Sequence, residues 1–519
     1  MNKMKLFCFS IIICLLAGCG GSPAVTATNL PAAQAYWPTQ EWRASLPEEQ
    51  GMDSEMLARM FQQVEDQQLN LHSLLIVRNG YLVTEAYYQP YSQNQVQFIA
   101  SVTKSVISAL VGIAIQKGNI KNVDQTLVSF FPGQTIANLD EQKKAITLKD
   151  LLSLTAGLTC NDSPFSGGAG MEQSNDWVQF LLDAPMAEQP GTKFNYCGGA
   201  VHLLSAILQK TTGMSAREFA NRFLFDPMGI ASIPETRWQT DPQGVSIGPY
   251  GLYLTPRDLA KLGYLYLQNG QWNNQSILPA DWVKASSTQH TTKDNGLLYG
   301  YLWTVDPAEG SYSALGLAGQ QIYVIPSKNL VVVFTAALPA TKSDEDFIPL
   351  KALVDNYILP AVKSDQALPA NPAASAKVND FIHNAANPPK TVNPILEGAL
   401  QWSGLVYKLE PNPNQWDTIS FAMQRDFDTM TATLNGQVVD PPIGLDNTYR
   451  IQKGGDVFAP LAFRGNWVND ATLNINLIYL GELGDIELQA VFSADELNMT
   501  GKDVVNGQVI NFHGKKVTE

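Results

Sequence analysis

A serine and a lysine three residues apart are the first candidates for chemistry in this sequence. Ser101 and Lys104 stand in the segment Phe98-Ile-Ala-Ser-Val-Thr-Lys, which leads into the apolar run of residues 105–115. A buried helix beginning near Ser101 would place both side chains on one face, with Cβ atoms about 5 to 6 Å apart. A neutral lysine amine can take the proton of a serine hydroxyl, and burial disfavours the charged amine. The pair predicts a nucleophile and its base, although a capping serine beside a solvated lysine has the same spacing.

A tyrosine further along the chain could complete a proton relay. Tyr196 stands in Phe194-Asn-Tyr-Cys-Gly198, just ahead of a second apolar, helix-like stretch. A phenol placed against the serine and the lysine could pass a proton to a leaving group. A lone tyrosine in a helical region is more often part of a core, so this assignment depends on the fold bringing the three groups together.

A glycine-rich segment offers backbone donors for the same site. Residues 314–321, Ala-Leu-Gly-Leu-Ala-Gly-Gln-Gln, lead into a predicted strand that starts at Ile322. Glycines at the start of a strand allow close approach of the backbone. We expect the amides of Ser101 and Gln320 to form an oxyanion hole.

The segments around these residues predict an α/β (α+β) fold. Residues 54–68 carry helical periodicity, and two β-rich runs follow around an Asn-Gly turn. Residues 322–336 predict another pair of strands, and residues 347–362 predict a helix. Because residues 100–290 are mostly helix-like, we expect an antiparallel sheet flanked by helices, with a mainly helical insertion.

The length allows more than one domain. At about 100 to 200 residues per domain, 519 residues are enough for two or three. We assign residues 45–362 to the first domain and the Pro-, Ala- and Asn-rich residues 363–395 to a linker. Residues 396–519 then form an all-β barrel or sandwich, because 473–480 and 485–492 alternate with period two.

The overall charge argues against nucleic acid as a partner. The formal net charge is −14, and no run of basic residues supplies the footprint that DNA or RNA requires. Hydrophobic residues make up 45% and charged residues 16%, which is the composition of an ordinary globular protein.

We expect neither a metal nor another cofactor. The histidines lack the spacing of metal ligands, and no cysteine pair has zinc-finger spacing. The five histidines are His72, His202, His290, His383 and His513.

The N-terminus has the layout of an export signal. Two lysines precede the mostly apolar residues 6–16, so we assign residues 1–18 to a signal peptide. The sequence Leu-Ala-Gly-Cys up to Cys19 looks like a bacterial lipoprotein cleavage box, in which this cysteine is acylated. Residues 19–44 would then be a tether to the membrane. We expect a lipid-anchored protein of the bacterial cell envelope, and simple secretion is the alternative. The resemblance to lipoproteins, in which a residue other than aspartate follows the cysteine, as Gly20 does here, implies the periplasmic face of the outer membrane if the cell is Gram-negative.

The remaining cysteines suggest a disulfide. Cys8 and Cys14 leave with the signal peptide and Cys19 would be acylated, so only Cys160 and Cys197 remain. An exported protein can form disulfides, and we expect these two to be bonded. Two unpaired buried thiols are the alternative.

A second serine motif has the wrong surroundings. Residues 244–248, Gly-Val-Ser-Ile-Gly, match the nucleophile elbow of α/β-hydrolases, but Asp-Pro-Gln precedes them and Pro-Tyr follows. That motif needs a strand before it and a helix after it. We expect Ser246 to lie in a loop near the pocket.

In their order and spacing, the serine, tyrosine and glycine-rich segments resemble the serine β-lactamase and penicillin-binding protein superfamily. Four further segments support the resemblance: Leu151-Leu-Ser-Leu-Thr-Ala-Gly-Leu, Pro190-Gly-Thr-Lys-Phe, residues 253–263 and Tyr299-Gly-Tyr-Leu-Trp. It covers about residues 45–362 and is greatest for the class C-like branch of esterases, D-aminopeptidases and 6-aminohexanoate-dimer hydrolases. It implies that Ser101 is the nucleophile, Lys104 its base and Tyr196 the second acid/base, with the Ser101 and Gln320 amides as the oxyanion hole.

Departures from the pattern of β-lactam-active relatives concern the substrate. Gly198 stands where those relatives carry Asn, so the amide that would grip a peptide-like group is missing. Leu317-Ala-Gly319 replaces Lys-Thr-Gly or its His variant, which removes the cation for a substrate carboxylate. We therefore expect a small ester or a short amide as substrate. A penicillin-binding D,D-peptidase or weak β-lactamase, and a non-catalytic envelope binding protein, remain alternatives; the oligomeric state is open.

The expected anchor can be tested directly. Changing Cys19→Ser removes the only acylation site of the cleavage box, so the protein should shift from the membrane fraction to the soluble fraction. Cell fractionation with immunoblotting measures the shift. Retention of the variant in the membrane fraction would contradict lipid anchoring, and unchanged cellular location of a Cys14→Ser variant is the control.

Overall fold

The computed structural model describes residues 36–160, 170–340, 347–391, 395–412, 416–424, 429–434, 441–452 and 460–517. The predicted signal peptide, Cys19 and the first part of the tether therefore lie outside the described residues. The chain from Trp37 to Glu519 forms one unit by its internal contacts. None of the helices in the described ranges combines the length and the apolar character needed to cross a membrane.

A central antiparallel sheet organises the N-terminal part. The strands up to residue 336 are β1 (Leu71–Arg78), β2 (Tyr81–Tyr87), β3 (Gln97–Phe98), β4 (Tyr253–Leu254), β5 (Gln271–Trp272), β6 (Gln275–Ser276), β7 (Thr291–Thr292), β8 (Leu298–Tyr299), β9 (Thr304–Asp306), β10 (Ser311–Gly316), β11 (Gln320–Ile325) and β12 (Leu330–Ala336). Within the described ranges, eight of them form one sheet in the order β2-β1-β12-β11-β10-β9-β8-β7. The chain thus builds this sheet from both ends of the domain, as predicted.

Helices cover this sheet and fill the insertion. They are α1 (Ser54–Asp66), α2 (Val102–Gln116), α3 (Glu141–Ala145), α4 (Leu148–Leu152), α5 (Trp177–Asp183), α6 (Gly198–Thr212), α7 (Ala216–Ala220), α8 (Pro256–Leu267), α9 (Ala280–Ser286), α10 (Ile348–Leu353), α11 (Leu359–Ala361) and α12 (Pro372–Ala386). Helices α1 and α10–α12 pack on one face, and α8 and α2 pack on the other. The predicted α/β (α+β) class is confirmed.

Strand β1 shows why the central strands are apolar throughout. All of its residues are buried. Successive side chains point to opposite faces of a sheet, so Leu74 and Ile76 join the core under α1, while Leu75 and Val77 join the core around α2 and α8. A sheet covered by helices on both faces leaves no polar side for these strands.

Helix α2 carries the serine and lysine motif into the middle of the domain. Residues 102–114 are all buried, because the helix lies between the sheet and helices α6, α7 and α9. At Gly112, an added Cβ would stand 2.5 Å from the ring of Trp282 on α9. The absence of a side chain there lets the two helices approach closely.

The C-terminal part is a curled β-sheet. Its strands are β13 (Val406–Leu409), β14 (Thr418–Ala422), β15 (Thr429–Leu434), β16 (Pro442–Gly444), β17 (Arg450–Gln452), β18 (Leu461–Asn469), β19 (Thr472–Tyr479), β20 (Asp485–Phe492), β21 (Glu496–Asp503) and β22 (Val509–Lys516). In the described ranges these ten strands follow the order β16-β15-β14-β13-β22-β21-β20-β19-β18-β17, and β16 also pairs with β18. The sheet therefore closes on itself, which is the barrel among the two predicted architectures.

The barrel touches the N-terminal part close to the serine motif. The amide of Phe98 in β3 donates a hydrogen bond of 2.6 Å to the carbonyl of Gly481, in the turn between β19 and β20. Leu483 in that turn and Val505 after β21 join a small apolar cluster that includes Leu317. Both contacts lie within a few residues of the predicted site.

Part of the segment predicted as a linker is a packed helix. Helix α12 lies within residues 363–395 and packs on α1, with the rings of Phe61 and Phe381 stacked at 5.8 Å. Asn371 caps the helix through its side chain, and Pro372 occupies the first helical position. These are ordinary signals for a helix start, which the Pro-, Ala- and Asn-rich composition of the segment obscured.

Because α8 packs closely on the sheet, we expect that adding one methyl group at this contact destabilises the protein. A Cβ at Gly263 would lie 2.5 Å from Cγ1 of Val331 and 2.8 Å from Cγ2 of Ile322. Although alanine has the higher helix propensity, overpacking a core costs about 1 to 3 kcal/mol, so Gly263→Ala should lower the free energy of unfolding. Urea unfolding measures the loss. The loss should shrink in a Val331→Ala background, and a variant as stable as the natural protein would contradict the contact.

Candidate active site

The predicted nucleophile stands on a sharp turn at the start of α2. Ala100 has φ +46°, a left-handed conformation that costs a non-glycine residue about 1 to 2 kcal/mol. The amide of Ile99 donates to the Leu252 carbonyl, and Thr103 bonds the Ala100 carbonyl through its amide and its hydroxyl. These bonds hold the turn, so Ser101 is presented at the first turn of a buried helix.

Lys104 lies against Ser101 as the spacing predicts. Its amine is 2.8 Å from Ser101 Oγ and donates a second hydrogen bond of 2.9 Å to the carbonyl of Pro249. The Lys104 side chain is only 4% exposed. Because the amine is buried and bound to two partners, it is held in one orientation. In that orientation the hydroxyl is within reach for proton transfer.

Tyr196 belongs to the same cleft. The ring centroid of Tyr196 is 4.8 Å from Lys104 Nζ, and the side chain is 46% exposed. Ser101 and Tyr196 both line one small cavity of about 110 Å³. The fold therefore brings the three predicted groups together from the starts of two helices, α2 and α6, that are far apart in sequence.

Backbone and covalent bonds hold the tyrosine from both sides. Before it, the Asn195 amide donates to the Leu154 carbonyl at 2.8 Å. After it, Cys197 forms a disulfide with Cys160, with Cα atoms 5.5 Å apart. Cys197 is also the residue just before α6 begins, so the bond restrains the helix start that carries Tyr196.

Gln320 is not among the described residues that line the cleft. It starts β11, one strand further from Ser101, and it is fully buried. Its side chain amide donates to the Ala336 carbonyl at 2.6 Å. The cleft is instead lined by β10 and the residue that follows it, through Ser313, Leu315 and Leu317. Glycine-rich composition pointed to the right hairpin but not to the strand that faces the serine.

Strand β10 approaches the serine turn at Gly316. A Cβ on this residue would stand 3.2 Å from the Ser101 amide nitrogen and 2.6 Å from the Ile99 carbonyl oxygen. Strand β9 pairs with β10 only at residues 311–313, among the residues that the structure describes. The last part of β10 thus lies beside the serine turn with an edge that no described strand covers.

The three residues expected to contact substrate, Gly198, Leu317 and Gly319, do not all lie on the cleft wall. Gly198 begins α6, two residues after the tyrosine, and Leu317 lines the cleft. A Cβ added at Gly319 would not enter the cleft, because it would lie 3.0 Å from Ala336 and Leu350. Of these three positions, the structure places only the Leu317 side chain on the cleft wall.

Several lining residues were missed from sequence. They are Ser105, Lys293, Tyr299, Thr304, Ser313 and Phe347. Tyr299 lies in a segment that supports the family resemblance, and Ser105 directly follows the lysine motif, so both had a signal. Lys293 had no such signal in the sequence, because it comes from the turn between β7 and β8. The loss of a lysine at position 317 therefore does not leave the cleft without a second ammonium group.

A larger apolar cavity adjoins the cleft. It has a volume of about 530 Å³ and shares Thr304, Ser313, Leu315 and Phe347 with the cleft. Leu298 and Ile348 extend its apolar wall. A volume of this size is typical of a pocket for a small organic group.

Ser246 is a structural residue of a buried loop. Its hydroxyl accepts a hydrogen bond from the Arg217 amide, and its carbonyl accepts one of 2.6 Å from Ser205. Neither a strand before it nor a helix after it is present in the described range around it. The same loop continues to Pro249, whose carbonyl holds Lys104.

Ligating side chains that lie close together would mark a metal site within the described ranges. These ranges contain no group of three or more His, Cys, Asp or Glu side chains placed to hold a metal ion.

Comparison with known proteins identifies similar sequences. A family model described as Beta-lactamase matches residues 57–355. An uncharacterized protein of Alkalihalophilus pseudofirmus is 26% identical over 301 residues, which cover 50% of this chain and 82% of that protein. A 6-aminohexanoate-dimer hydrolase of Paenarthrobacter ureafaciens is 22% identical over 293 residues, which cover 51% of this chain and 72% of the hydrolase.

The fold also has counterparts among solved structures. A Bacillus anthracis protein classed provisionally as a 6-aminohexanoate-dimer hydrolase aligns with a TM-score of 0.50 and 18% identity. The alignment covers 64% of this chain and 89% of that one. At this identity the likeness concerns the fold alone.

The approach of β10 to the serine turn makes Gly316 a sensitive position. Gly316 has φ −130°, which alanine can adopt, so Gly316→Ala should act only through its methyl group pushing on Ile99 and Ser101. A displacement of about 1 Å at a reacting group can cost on the order of 100-fold in rate. We expect Ser101 to react at least about tenfold more slowly with a fluorophosphonate probe. Mass spectrometry follows the labelling; an unchanged rate would contradict the contact, and thermal unfolding checks that the variant is folded.

Proposed function

The chain belongs to the beta-lactamase family, whose model matches residues 57–355, and from this membership we propose that it is a serine hydrolase forming an acyl-enzyme with a small ester or a short amide. The family groups hydrolases such as the 6-aminohexanoate-dimer hydrolase among the relatives. The observation that carries the proposal is the 2.8 Å contact between Lys104 Nζ and Ser101 Oγ, with Tyr196 facing the same amine.

Acylation starts with the Ser101 hydroxyl. Its oxygen attacks the carbonyl carbon of the substrate while its proton passes to the Lys104 amine. The resulting tetrahedral intermediate collapses when the bond to the leaving group breaks. That group takes a proton through the Tyr196 phenol, replenished from Lys104, and leaves as an alcohol or amine. Ser101 then carries the acyl group as an ester.

Deacylation uses the same groups in the reverse roles. A water molecule enters where the leaving group stood and gives a proton to the Tyr196 and Lys104 pair as it attacks the acyl carbon. The bond to Ser101 Oγ breaks, the oxygen regains its proton, and the acid product departs. The exposed tyrosine borders solvent, which suits a group that must meet both leaving group and water.

The oxyanion needs two donors, and we assign one to each side of the cleft. The Ser101 amide lies at the N-terminus of α2, where the helix dipole favours negative charge. We place the second donor on the backbone at the end of β10, between residues 315 and 317, instead of on Gln320. Support comes from the closeness of Gly316 to the Ser101 amide and from the uncovered edge of the strand.

The walls of the site favour a substrate with a small apolar part. The adjoining cavity of about 530 Å³ can take an acyl chain, which would contact Leu315 and Phe347. Gly198 supplies no amide side chain, and Leu317 no ammonium group, at the positions where β-lactam-active relatives carry them. Both features favour an ester or short amide over a β-lactam or a stem peptide.

Loss of the nucleophile tests the mechanism. Ser101→Ala should lower kcat for 4-nitrophenyl butyrate by at least about 1000-fold, because no acyl-enzyme can form. Ser246→Ala is the matched control and should keep most of the activity, since that hydroxyl bonds the Arg217 amide and is not among the described residues that line the cleft. Full activity of the Ser101 variant would overturn Ser101 as the nucleophile, and absence of a fluorophosphonate adduct on Ser101 in the natural protein would favour a binding protein over an enzyme.

The substrate class needs its own comparison. We expect kcat/KM for 4-nitrophenyl butyrate to exceed that for a chromogenic cephalosporin. Both reactions are followed by absorbance with the same preparation of enzyme. Faster turnover of the cephalosporin would overturn the ester proposal and favour a β-lactamase.

A further inference from the structure

The carbonyl of Pro249 determines how the Lys104 amine is oriented. Lys104 Nζ donates a hydrogen bond of 2.9 Å to this carbonyl and lies 2.8 Å from Ser101 Oγ. A neutral amine has one lone pair, so an N–H bonded to Pro249 leaves the lone pair free to face the serine hydroxyl. Proton transfer from Ser101 therefore depends on where the backbone at Pro249 lies.

The loop of residues 241–249, which ends at that carbonyl, lies directly on helix α6. A Cβ added at Gly248 would stand 2.3 Å from the carbonyl oxygen of Val201 on the helix. Ser205, one turn further along α6, donates a hydrogen bond of 2.6 Å to the carbonyl of Ser246. The last part of the loop is therefore fastened to the helix that begins just after Tyr196.

A buried histidine and a buried aspartate fasten the first part of the loop to the same helix. The side chains of His202 on α6 and of Asp241 are fully buried, and His202 Nε2 lies 3.0 Å from Asp241 Oδ2. A carboxylate accepts hydrogen bonds, so the imidazole N–H is the donor. Oδ1 of Asp241 accepts the amides of Gln243 and Val245 at 2.9 and 2.8 Å. The carboxylate thus closes the start of the loop and joins it to α6.

The burial of Asp241 makes the bond from His202 difficult to replace. A carboxylate removed from water is unfavourable unless hydrogen bonds compensate for the lost hydration. Without the imidazole N–H, the bond to Oδ2 is lost, and a movement of the loop that brings the carboxylate to water becomes favourable. Because the loop is short, such a movement also displaces Pro249.

We propose that His202 is a positioning residue for Lys104. Through Asp241 it holds the 241–249 loop on α6, and the last carbonyl of this loop orients the lysine amine toward Ser101. The proposal rests on the proposed serine hydrolase function and extends it to a residue that is not among the described residues lining the cleft. Helix α6 then sets the positions of both the base and the tyrosine that precedes the helix.

Replacement of the histidine tests this role on the reactivity of the serine. His202→Phe keeps a ring beside Trp177, whose centroid is 5.3 Å from that of the imidazole, but removes the N–H donor. Labelling of Ser101 by a fluorophosphonate probe should become at least about tenfold slower, because the amine is displaced. Mass spectrometry should show that the labelling still goes to completion, so a smaller folded fraction does not account for the slower rate.

Steady-state kinetics give a second measure of the same variant. For 4-nitrophenyl butyrate, kcat should fall at least about tenfold while KM changes by less than about threefold, because the cleft walls are unaltered. A rise in KM with kcat unchanged would overturn the proposal, since it would place the effect of His202 on substrate binding.

Two control variants separate positioning from stability. His202→Gln places an amide N–H about where the imidazole Nε2 stood and should keep the labelling rate within about threefold of that of the natural protein. Gly263→Ala, which is expected to destabilise the contact between α8 and the sheet, should label at the natural rate. Equal slowing in all three variants, or an unchanged rate in His202→Phe beside a reactive natural protein, would overturn the proposal.

Ser205→Ala provides a smaller change if His202→Phe does not fold. It removes the bond from α6 to the Ser246 carbonyl and should slow the labelling at least about threefold. Labelling at the natural rate would contradict the attachment to α6 as the feature that positions Lys104. The Ser246 hydroxyl, which accepts the Arg217 amide, takes no part in this attachment.

Crystal structures separate this proposal from the proposed function. In His202→Phe, the Pro249 carbonyl should move by about 1 Å or more, and Lys104 Nζ should leave hydrogen-bond distance of Ser101 Oγ. This shift would support the positioning role even if the natural protein hydrolyses no ester, a result that would count against the hydrolase alone. Hydrolysis by the natural protein, together with an unmoved Lys104 and unchanged labelling in the variant, would overturn the positioning role and leave the hydrolase intact.

Discussion

The short contact between the Lys104 amine and the Ser101 hydroxyl is the interaction on which the rest of the site depends. It requires both residues on the first turn of one helix and a third group, the Pro249 carbonyl, to fix the amine. It also requires that α2 be buried along its length, because a helix at the surface would leave the lysine in water. Three features bury α2: its own apolar residues, the closely packed α9 and the sheet beneath it. Tyr196 and the cleft walls are arranged around the Ser101 and Lys104 pair.

The predicted nucleophile Ser101 follows a strained residue that bonds from other parts of the chain hold in place. Ala100 in a left-handed conformation is unfavourable by itself, and it persists because Ile99 is bonded to Leu252 and Thr103 to the carbonyl of Ala100. Tyr196 is held in a comparable way, by a backbone bond on one side and a disulfide on the other. Both reactive groups thus lie just before helices whose starts are restrained by bonds from other parts of the chain.

Sequence reasoning located the parts of the site that follow one local pattern. Ser101 and Lys104 share a helix face by spacing, β-rich runs around turns predicted the sheet of the first part, and period-two alternation predicted the β-rich second part. Composition alone does not tell which strand of the hairpin lies against the serine turn, so the role of the Gln320 amide stays a prediction. Lys293 was missed because only the tertiary fold brings a turn between two short strands to the serine. The composition of residues 363–395 does not reveal helix α12, because the helix start is surrounded by residues common in loops.

The hydrogen bond from Phe98 to Gly481 has a consequence for how the protein is made. The ribosome synthesises Phe98 and the serine turn early. The Gly481 carbonyl that accepts the hydrogen bond belongs to the second β-rich part and is synthesised near the end. The same holds for Val505, which packs in one cluster with Leu317 on the cleft wall. A nascent or proteolytically shortened polypeptide that lacks the second β-rich part would therefore carry the predicted nucleophile without these two neighbours.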